Sequence, residues 1–208
     1  NAADEKEKLY FSKMREALAH LAGLVESFVQ MLRVEKGAAD FQALERTDIA
    51  CLIDSVCNRF ERAADKLSVR VDGVMPPLLV PRRCIEVVLE NLISNAIKHG
   101  GDGGPIGVAA SLKKERRGDS KESLLLLTVE DHGAGIPQDK IEEIFTPFFR
   151  LENGGEKEGL GLGLALVKSV VTIMKGEIHV RSKPGEGTAI TIQIPVTNNN
   201  GTSPDTVG

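Results

Sequence analysis

The segment ENLISNAIKHG, residues 90–100, decides the fold because it combines the apolar face of a buried helix with a second, polar face. Asn91, Asn95 and Lys98 recur at helical spacing, so their side chains form one stripe. The apolar residues also recur at steps of three and four, and they form the predicted core face: Ile85, Val88, Leu89, Leu92, Ile93, Ala96 and Ile97. Asn is a poor helix former, and a plain surface face more readily carries Glu, Lys or Ala. The stripe is therefore either a solvated face or a ligand site, in which Asn carbonyl oxygens suit Mg²⁺ and Lys98 suits phosphate.

The segments around this helix predict an α/β (α+β) sandwich. A second helix begins at Thr47 or Asp48, and its apolar face runs from Ile49 to Leu67. Strands are predicted at LSVRVDG (67–73), PIGVAASLK (105–113) and SLLLLTVED (123–131), and two more around a Pro-Gly turn near the end. The charged KERRGDSKE (114–122) is predicted to be a solvated hairpin loop. We expect a mixed, mostly antiparallel sheet covered by one layer of about three helices.

The N-terminal segment predicts a long, coiled-coil-like helix. Its apolar residues alternate steps of three and four: Phe11, Met14, Leu18, Leu21, Val25, Phe28 and Leu32. Such a seam is buried only against other helices, so we expect a homodimer or a second helix as its partner. The residues after 196, TNNNGTSPDTVG, have the composition of a disordered tail or linker.

Composition excludes several classes of function. The 208 residues carry a net charge of −4 and only 4% aromatic residues, which argues against a nucleic-acid-binding surface. No run is long and apolar enough to span a bilayer, so we expect no membrane contact by this chain, which leaves an anchor elsewhere in the full protein open. The three cysteines, Cys51, Cys57 and Cys84, lack metal-site spacing, and we interpret them as structural thiols in a reducing cytoplasm.

Three further motifs contain residues suited to a nucleotide. In VEDHGAGIP (129–137) a strand delivers Asp131 to its end, and glycines leave room for a flat ligand; alone, this is also an ordinary turn. In EGLGLGLALVKS (158–169) alternate glycines precede a helix whose free amides attract anions, although loop flexibility or close packing explains them equally. PGEGTAITI (184–192) alone predicts only a turn.

The order of these motifs is specific: Asn-x3-Asn-x2-Lys, Asp-x-Gly-x-Gly, IFTPFFR, Gly-x-Gly-x-Gly and Gly-x-Gly-Thr. It resembles the ATP-binding catalytic domain of sensor histidine kinases, within the superfamily that includes gyrase B, Hsp90 and MutL. The resemblance covers about residues 47–196. It implies three parts: residues 1–40 as part of a dimerisation and phosphoacceptor hairpin, 41–196 as the catalytic domain, and 197–208 as the tail.

The resemblance implies roles for individual residues. Asn95, helped by Asn91, is the implied Mg²⁺ ligand, and Lys98 and His99 are implied phosphate and nucleotide contacts; Asn95 and Lys98 are the implied catalytic residues. Asp131 is implied to accept a hydrogen bond from the adenine amino group, and Gly135 and Thr188 are implied to support adenine. The full set implied to bind ATP is Asn91, Asn95, Lys98, His99, Asp131, Gly133, Gly135, Ile136, Phe149, Arg150, Gly159, Gly161, Leu162, Gly163, Leu164 and Thr188. Residues 149–159 resemble the mobile ATP lid, hinged on aromatic residues (Phe145, Phe148 and Phe149) that are equally explained as core residues.

Two departures from the family pattern affect the predicted activity. The upstream segment resembles only the second helix of the hairpin, and His20 lacks the acceptor's usual neighbours, so we expect the acceptor helix and the sensor before residue 1. Gyrase-like and Hsp90-like members activate water with a Glu one turn before the metal-binding Asn, and Asn91 occupies that position here. Glu90 is adjacent but is predicted to point away from the stripe.

The predicted function is that of a protein histidine kinase: transfer of the γ-phosphoryl group of Mg-ATP to a histidine, for relay to the receiver domain of a response regulator. One alternative is a regulatory nucleotide-binding module that transfers no phosphate. Another is a gyrase- or Hsp90-like ATPase, which the amide at Asn91 disfavours.

Overall fold

The computed structural model describes residues 39–100, 104–117, 120–151 and 161–196, together with helical positions at 10, 11, 14, 15, 18 and 29. His20, residues 152–159 of the predicted lid, the predicted tail and most of the predicted coiled-coil seam lie outside these residues. Of the seam, Phe11, Met14 and Leu18 are described, and all three side chains are exposed. Pairing of this segment with another helix therefore stays a prediction.

Helices and strands are interspersed along the described residues, and several strands follow one another directly. The helices are α1 (Ala39–Gln42), α2 (Ile49–Cys57), α3 (Arg82–His99) and α4 (Gly163–Ile173), with 3-10 segments at Asn58–Lys66, Gln138–Lys140 and Glu143–Phe145. The strands are β1 (Glu45–Thr47), β2 (Leu67–Val71), β3 (Leu78–Val80), β4 (Ile106–Arg117), β5 (Ser120–Asp131), β6 (Glu177–Lys183) and β7 (Gly187–Val196). Among the described residues, no helix combines the length and apolarity needed to cross a membrane.

Five strands form one sheet in the order β2-β4-β5-β7-β6. Only β2 and β4 pair in parallel; the other neighbours are antiparallel. Alternate residues of the central strands point to one face and are buried, for example the cross-strand row Val108, Val129 and Ile190. The prediction of a mixed, mostly antiparallel sheet is confirmed.

Three helices pack over this buried face of the sheet. Helix α3 lies between α2 and α4 and contacts β4 and β5. Its predicted core residues are buried, except that Ile97 is only partly buried. Helix α2 begins at Asp48, whose carboxylate oxygen accepts a hydrogen bond from the Cys51 amide at 3.1 Å, as expected for an N-cap. The central helix, and with it the polar stripe, is therefore held firmly by the core.

The structure differs from the sequence prediction in three places. The face assigned to α2 does not reach Leu67, because the helix ends at Cys57, the chain kinks at Phe60 and Leu67 begins β2. The predicted loop 114–122 is mostly strand, since β4 and β5 pair as far as Arg117 and Ser120. The small β1–β3 sheet was not predicted.

Cys51, Cys57 and Cys84 are free thiols, and Cys51 is exposed. Cys57 and Cys84 are buried, and burial raises the pKa of Cys84 to about 11. The Cys84 thiol lies 2.9 Å from the Phe41 carbonyl oxygen. Within the described ranges, no group of three or more His, Cys, Asp or Glu side chains is arranged to hold a metal ion. The buried thiols therefore belong to the packing.

Candidate functional site

Asn91 presents an oxygen to the start of helix α4. Its amide nitrogen donates to the Val87 carbonyl at 2.8 Å, so the amide donor group is used within the helix. A Cβ built on Gly163 lies 3.0 Å from Asn91 Oδ1, which places that oxygen beside the first residue of α4. A carbonyl oxygen held in this way is a suitable ligand for a hard cation such as Mg²⁺.

The first turn of α4 has the properties of an anion site. Gly163 is its first residue, and the preceding Leu162 is buried and provides no side-chain cap. The amides of the first turn have no partners within a helix, and the helix dipole places partial positive charge there. Leu164 packs partly buried against the core, which orients the turn. The beginning of the helix thus offers N–H groups next to the Asn91 oxygen.

The stripe on α3 continues from Asn91 toward the end of strand β5. Asn95 is half-buried, whereas Lys98 and His99 are exposed. At about 1.5 Å of rise per residue, Asn91 and His99 lie about 12 Å apart along the axis. One end of the stripe is therefore close to α4, and the other lies at the loop that follows Asp131.

Asp131 is a partly buried carboxylate held by backbone donors. The Gly133 amide donates to Asp131 Oδ1 at 2.9 Å, and the Thr188 amide also donates to the carboxylate. Burial raises the pKa of Asp131 above its usual value, while these amides and the nearby His99 and His132 oppose the rise. The fixed carboxylate is a hydrogen-bond acceptor at the end of the predicted base site.

Two glycines allow three segments to meet around Asp131. A Cβ on Gly133 would lie 2.1 Å from the His99 carbonyl oxygen, so the loop after β5 contacts the end of α3 directly. A Cβ on Gly187, where φ is +91°, would lie 2.0 Å from the Asp131 carbonyl oxygen. Any side chain at either position would separate the walls of the site.

Ser182 is the site residue that the sequence analysis missed. Its hydroxyl accepts a hydrogen bond from the Ile136 amide at 2.8 Å and lies 2.8 Å from the Thr188 hydroxyl. Ile136 and Thr188, both predicted site residues, are thereby joined to strand β6. Counting back from the predicted Pro-Gly turn would have paired Ser182 with Thr188, as the structure does.

The aromatic segment adjoins the glycine motif. The Phe148 amide donates to the Gly161 carbonyl at 3.1 Å, and a Cβ on Gly161 would lie 2.4 Å from the Phe149 carbonyl oxygen. Phe148 has a φ of +67° and a 65% exposed side chain, so interpreting it as a core residue is wrong. Phe149 is half-buried with Lys140 Nζ 6.0 Å from its ring centroid, and Arg150 is exposed.

The structure thus brings most predicted residues into two groups. Asn91, Gly161, Leu162, Gly163 and Leu164 lie around the start of α4, and His99, Asp131, Gly133, Gly135, Ile136 and Thr188 lie around the end of β5. Gly159 lies outside the described residues. The role of each of these residues stays a prediction.

Comparison with known proteins gives the family. Residues 82–198 match the model of the histidine kinase-, DNA gyrase B- and HSP90-like ATPase family, which is more than half of the chain. This protein belongs to that family. The match covers α3, the end of β5, the glycine motif and β7, so it includes every segment that forms the site.

Within the ATPase family, several of the similar proteins are sensor proteins or sensor histidine kinases. The alginate biosynthesis sensor protein KinB of Pseudomonas aeruginosa is 32% identical over 93% of this chain and 31% of its own length. The non-motile and phage-resistance protein of Caulobacter vibrioides is also 32% identical, over 93% of this chain and 23% of its own length. The chain therefore spans about a quarter to a third of the length of these relatives.

Solved structures confirm the histidine kinase fold. Full-length ShkA in complex with AMPPNP matches with a TM-score of 0.72 and 26% identity, over 91% of this chain and 39% of that one. The Acinetobacter baumannii histidine kinase AdeS matches with a TM-score of 0.66 and 28% identity, over 90% of this chain and 84% of that one. The resemblance stated from the motifs is confirmed.

Glu90 of this ATPase-family domain is directed away from the site. Its carboxylate is paired with Arg59, which follows α2 and also lies 3.8 Å from Glu86. Glu90 therefore contacts a segment on the side of α3 away from α4, as its position on the helix predicts. The side chain directed toward the glycine motif at this level of α3 is the Asn91 amide.

Proposed function

We propose that this chain is the catalytic domain of a sensor histidine kinase, which binds Mg-ATP and transfers the γ-phosphoryl group to a histidine on a dimerisation helix. The observation that carries the proposal is the arrangement along α3. An amide oxygen lies beside the uncapped first turn of α4 at one end, and a fixed carboxylate acceptor lies at the other. A nucleotide needs both: donors for its phosphates and an acceptor for its base.

Adenine is proposed to bind at the Asp131 end. The carboxylate is an acceptor only, and adenine presents an N–H donor at its amino group. The close approach of Gly133 to the His99 carbonyl leaves no side chain between the loop and the end of α3. Ile136 and Thr188 are held beside this loop by Ser182.

The triphosphate is proposed to bind between α3 and the start of α4. The amides of Gly163 and Leu164 attract its negative charge, and Lys98 adds a formal positive charge. Gly161 joins this turn to the aromatic segment, where Arg150 provides a second cation. Residues 149–159, including Gly159, are proposed as the lid over the phosphates.

Mg²⁺ is proposed to be held by Asn95 and Asn91. The Asn91 oxygen fits such a ligand because its amide nitrogen is already bonded to Val87. Mg²⁺ commonly takes few protein ligands, with phosphate oxygens and waters completing its octahedron, so a site with amide ligands alone is chemically reasonable. When bound, the ion neutralises charge that develops on the phosphate oxygens.

Transfer of the γ-phosphoryl group depends more on the positioning of ATP and the acceptor histidine than on acid–base catalysis. The lone pair of an imidazole nitrogen attacks the γ-phosphorus, the bond from that phosphorus to the bridging oxygen breaks, and ADP leaves with the electron pair. Lys98 and the α4 amides stabilise the charge and hold the phosphates in line for attack. The phosphoryl group is then relayed to the receiver domain of a response regulator. We also propose that the domain is cytoplasmic and forms a homodimer through its N-terminal segment, because the apolar residues of that segment follow coiled-coil spacing.

The base site is tested by changing Asp131 to Asn. An amide can present its NH₂ group where the adenine amino group needs an acceptor, so calorimetric titration should show ATP binding at least about tenfold weaker. Asp139→Asn is the control, because it removes the same charge from an exposed position on the Gln138–Lys140 segment. Equal ATP affinity in wild type and Asp131→Asn would contradict the base assignment.

The Asn91→Glu change separates the kinase from a gyrase-like ATPase. A carboxylate cannot donate to the Val87 carbonyl, so it is released to orient water near the γ-phosphate. A general base contributes about 10² to 10⁴ in rate, and we expect hydrolysis to rise at least about tenfold over a slow wild-type rate. Phosphate release under saturating Mg-ATP measures this.

The neighbouring carboxylate provides the control for Asn91→Glu. Glu90→Gln removes the other candidate base, and since Glu90 is paired with Arg59 we expect no change in hydrolysis. A wild type that hydrolyses ATP rapidly, and that loses this activity on Glu90→Gln, would favour the ATPase alternative.

A further inference from the structure

The hydroxyl of Ser182 makes three short polar contacts at once. Ser182 Oγ lies 2.8 Å from the Ile136 amide nitrogen, 2.8 Å from the Gly187 carbonyl oxygen and 2.8 Å from the Thr188 hydroxyl oxygen. Ser182 itself is half-buried near the end of β6, directly opposite Thr188 in the β6–β7 pairing. The partners come from the loop after Asp131 and from the beginning of β7.

A count of protons fixes the direction of each contact. The Ile136 amide brings its own proton, and Ser182 accepts it. The Gly187 carbonyl has no proton, so the Ser182 hydroxyl proton lies between these two oxygens. The proton between Ser182 and Thr188 must therefore come from the Thr188 hydroxyl. Ser182 then donates one bond and accepts two, which fills the capacity of a hydroxyl group.

Thr188 is thereby left as an acceptor. Its hydroxyl proton is used by Ser182, so only lone pairs of Thr188 Oγ1 remain for another partner. Thr188 pairs across the sheet with Asp131, whose carboxylate also only accepts and already receives the amides of Gly133 and Thr188. Two acceptors without available protons therefore lie side by side at the predicted base site.

We propose that Ser182 is a positioning residue that fixes the Thr188 hydroxyl as an acceptor and so makes the base site selective for a 6-amino purine over a 6-oxo purine. This rests on the proposed nucleotide binding at Asp131. Adenine presents N–H donors at its 6-position, whereas 6-oxo purines present an acceptor oxygen there. If the oxygen of a 6-oxo purine faces the acceptors Asp131 and Thr188, no proton is available between them. The polar groups are then buried without a hydrogen bond, which costs binding free energy.

The selectivity persists when a water molecule mediates the contact. A water that donates its two protons to Asp131 and Thr188 has only lone pairs left for the ligand. It accepts an N–H of a 6-amino group and cannot donate to a 6-oxo group. Without the Ser182 hydroxyl, the Thr188 hydroxyl can rotate and either donate or accept a hydrogen bond. Both 6-amino and 6-oxo purines can then form a hydrogen bond at this position.

Ser182 also supports the loop mechanically, so the test needs a measurement that a purely structural role would not change. The Ile136 amide bond to Ser182, and the Gly185 amide bond to the Ala134 carbonyl at 2.7 Å, hold the loop against the β6–β7 turn. Loosening this loop weakens every nucleotide alike. Only the ratio of dissociation constants for two bases reports the direction of the Thr188 proton.

The experiment titrates ADP and inosine diphosphate, which carries a 6-oxo purine, into wild type, Ser182→Ala, Ser182→Thr, Thr188→Val and the Ser182→Ala/Thr188→Val double variant. We expect wild type to favour ADP, Ser182→Ala to reduce that preference about tenfold, and Ser182→Thr, which keeps the hydroxyl, to restore it. If Ser182 acts through Thr188, the double variant has the preference of Thr188→Val alone.

Each outcome is decisive. An unchanged preference in Ser182→Ala, or a double variant that differs from Thr188→Val, would overturn the proposal while ADP binding by wild type still supports the nucleotide site. If Ser182→Ala does not fold, Thr188→Val decides, because removing the acceptor must also reduce the preference for ADP. Wild type that binds neither nucleotide would instead reject the proposed function.

Discussion

Replacing Asn95 with alanine is expected to abolish phosphoryl transfer from ATP. Asn95 lies one helical turn beyond Asn91 on α3, half-buried, and its amide oxygen is the proposed principal ligand of Mg²⁺. Without that ligand the charge on the transferring group is not neutralised and the phosphates are not held in line, so we expect a loss of at least about 10²- to 10³-fold. Single-turnover transfer of labelled γ-phosphate to an acceptor hairpin measures the loss.

The control for Asn95 is Asn58→Ala, the same substitution at an exposed position that ends α2. It should transfer phosphate at the wild-type rate. Transfer by Asn95→Ala within a few-fold of wild type, with unchanged Mg²⁺ dependence, would mean that the metal is held elsewhere.

Replacing Gly187 with alanine should eliminate nucleotide binding and destabilise the fold. The new Cβ would lie 2.0 Å from the Asp131 carbonyl oxygen and 2.7 Å from His132 Cα, both backbone atoms that cannot move aside without displacing β5. The positive φ of +91° adds backbone strain. We expect a loss of more than about 3 kcal/mol in the free energy of unfolding, as for other severe steric conflicts in a packed region.

Gly185 in the same turn is the matched control for Gly187. Its φ is +80°, yet a Cβ there meets no atom within 4 Å. Gly185→Ala should therefore lose only the cost of a left-handed backbone, about 1–2 kcal/mol, and keep its affinity for ADP. Urea unfolding and ADP titration of both variants provide the comparison. Equal losses in the two variants would show that backbone conformation, and not the contact with Asp131, makes glycine necessary at 187.

The sequence predicts best those elements in which apolar residues recur at the regular spacing of a helix or a strand. The core face of α3 follows the helical repeat because each apolar residue on it meets the same layer of the sheet. Buried and half-buried residues alternate from Ile106 to Ser111 of β4, because successive side chains of a strand point to opposite faces of the sheet. The N-cap Asp48 is recognisable because a cap depends on residues within one turn.

The missed features depend on partners distant in sequence. Strands β1 and β3 have three residues each, too few for a period, and they form only because they pair with one another. Leu67, which the helical period assigned to the face of α2, instead pairs with Ile106 of β4, a residue distant in sequence. Ser182 is an ordinary polar residue until the hairpin places it against Thr188 and Ile136.

The sequence names the candidate site residues, but it does not give the orientation of their side chains. The motif order indicated Asn91, Asp131 and the glycines, but it could not indicate that the Asn91 amide donates to Val87 and so presents oxygen to α4. Nor could it show that Glu90 is paired with Arg59, a contact between segments 31 positions apart. These two contacts determine which atoms of Asn91 face α4 and on which side of α3 the Glu90 carboxylate lies.

The proposed histidine kinase activity is tested most directly by transfer of labelled γ-phosphate from Mg-ATP to the protein's own acceptor hairpin supplied in trans. Binding of Mg-ATP is first confirmed by calorimetry, so that a negative result refers to transfer alone. We expect an acid-labile, base-stable phosphohistidine on the hairpin, absent when the acceptor histidine is replaced. Confirmed binding of Mg-ATP without any phosphate on that hairpin would contradict the assignment of this domain as a histidine kinase.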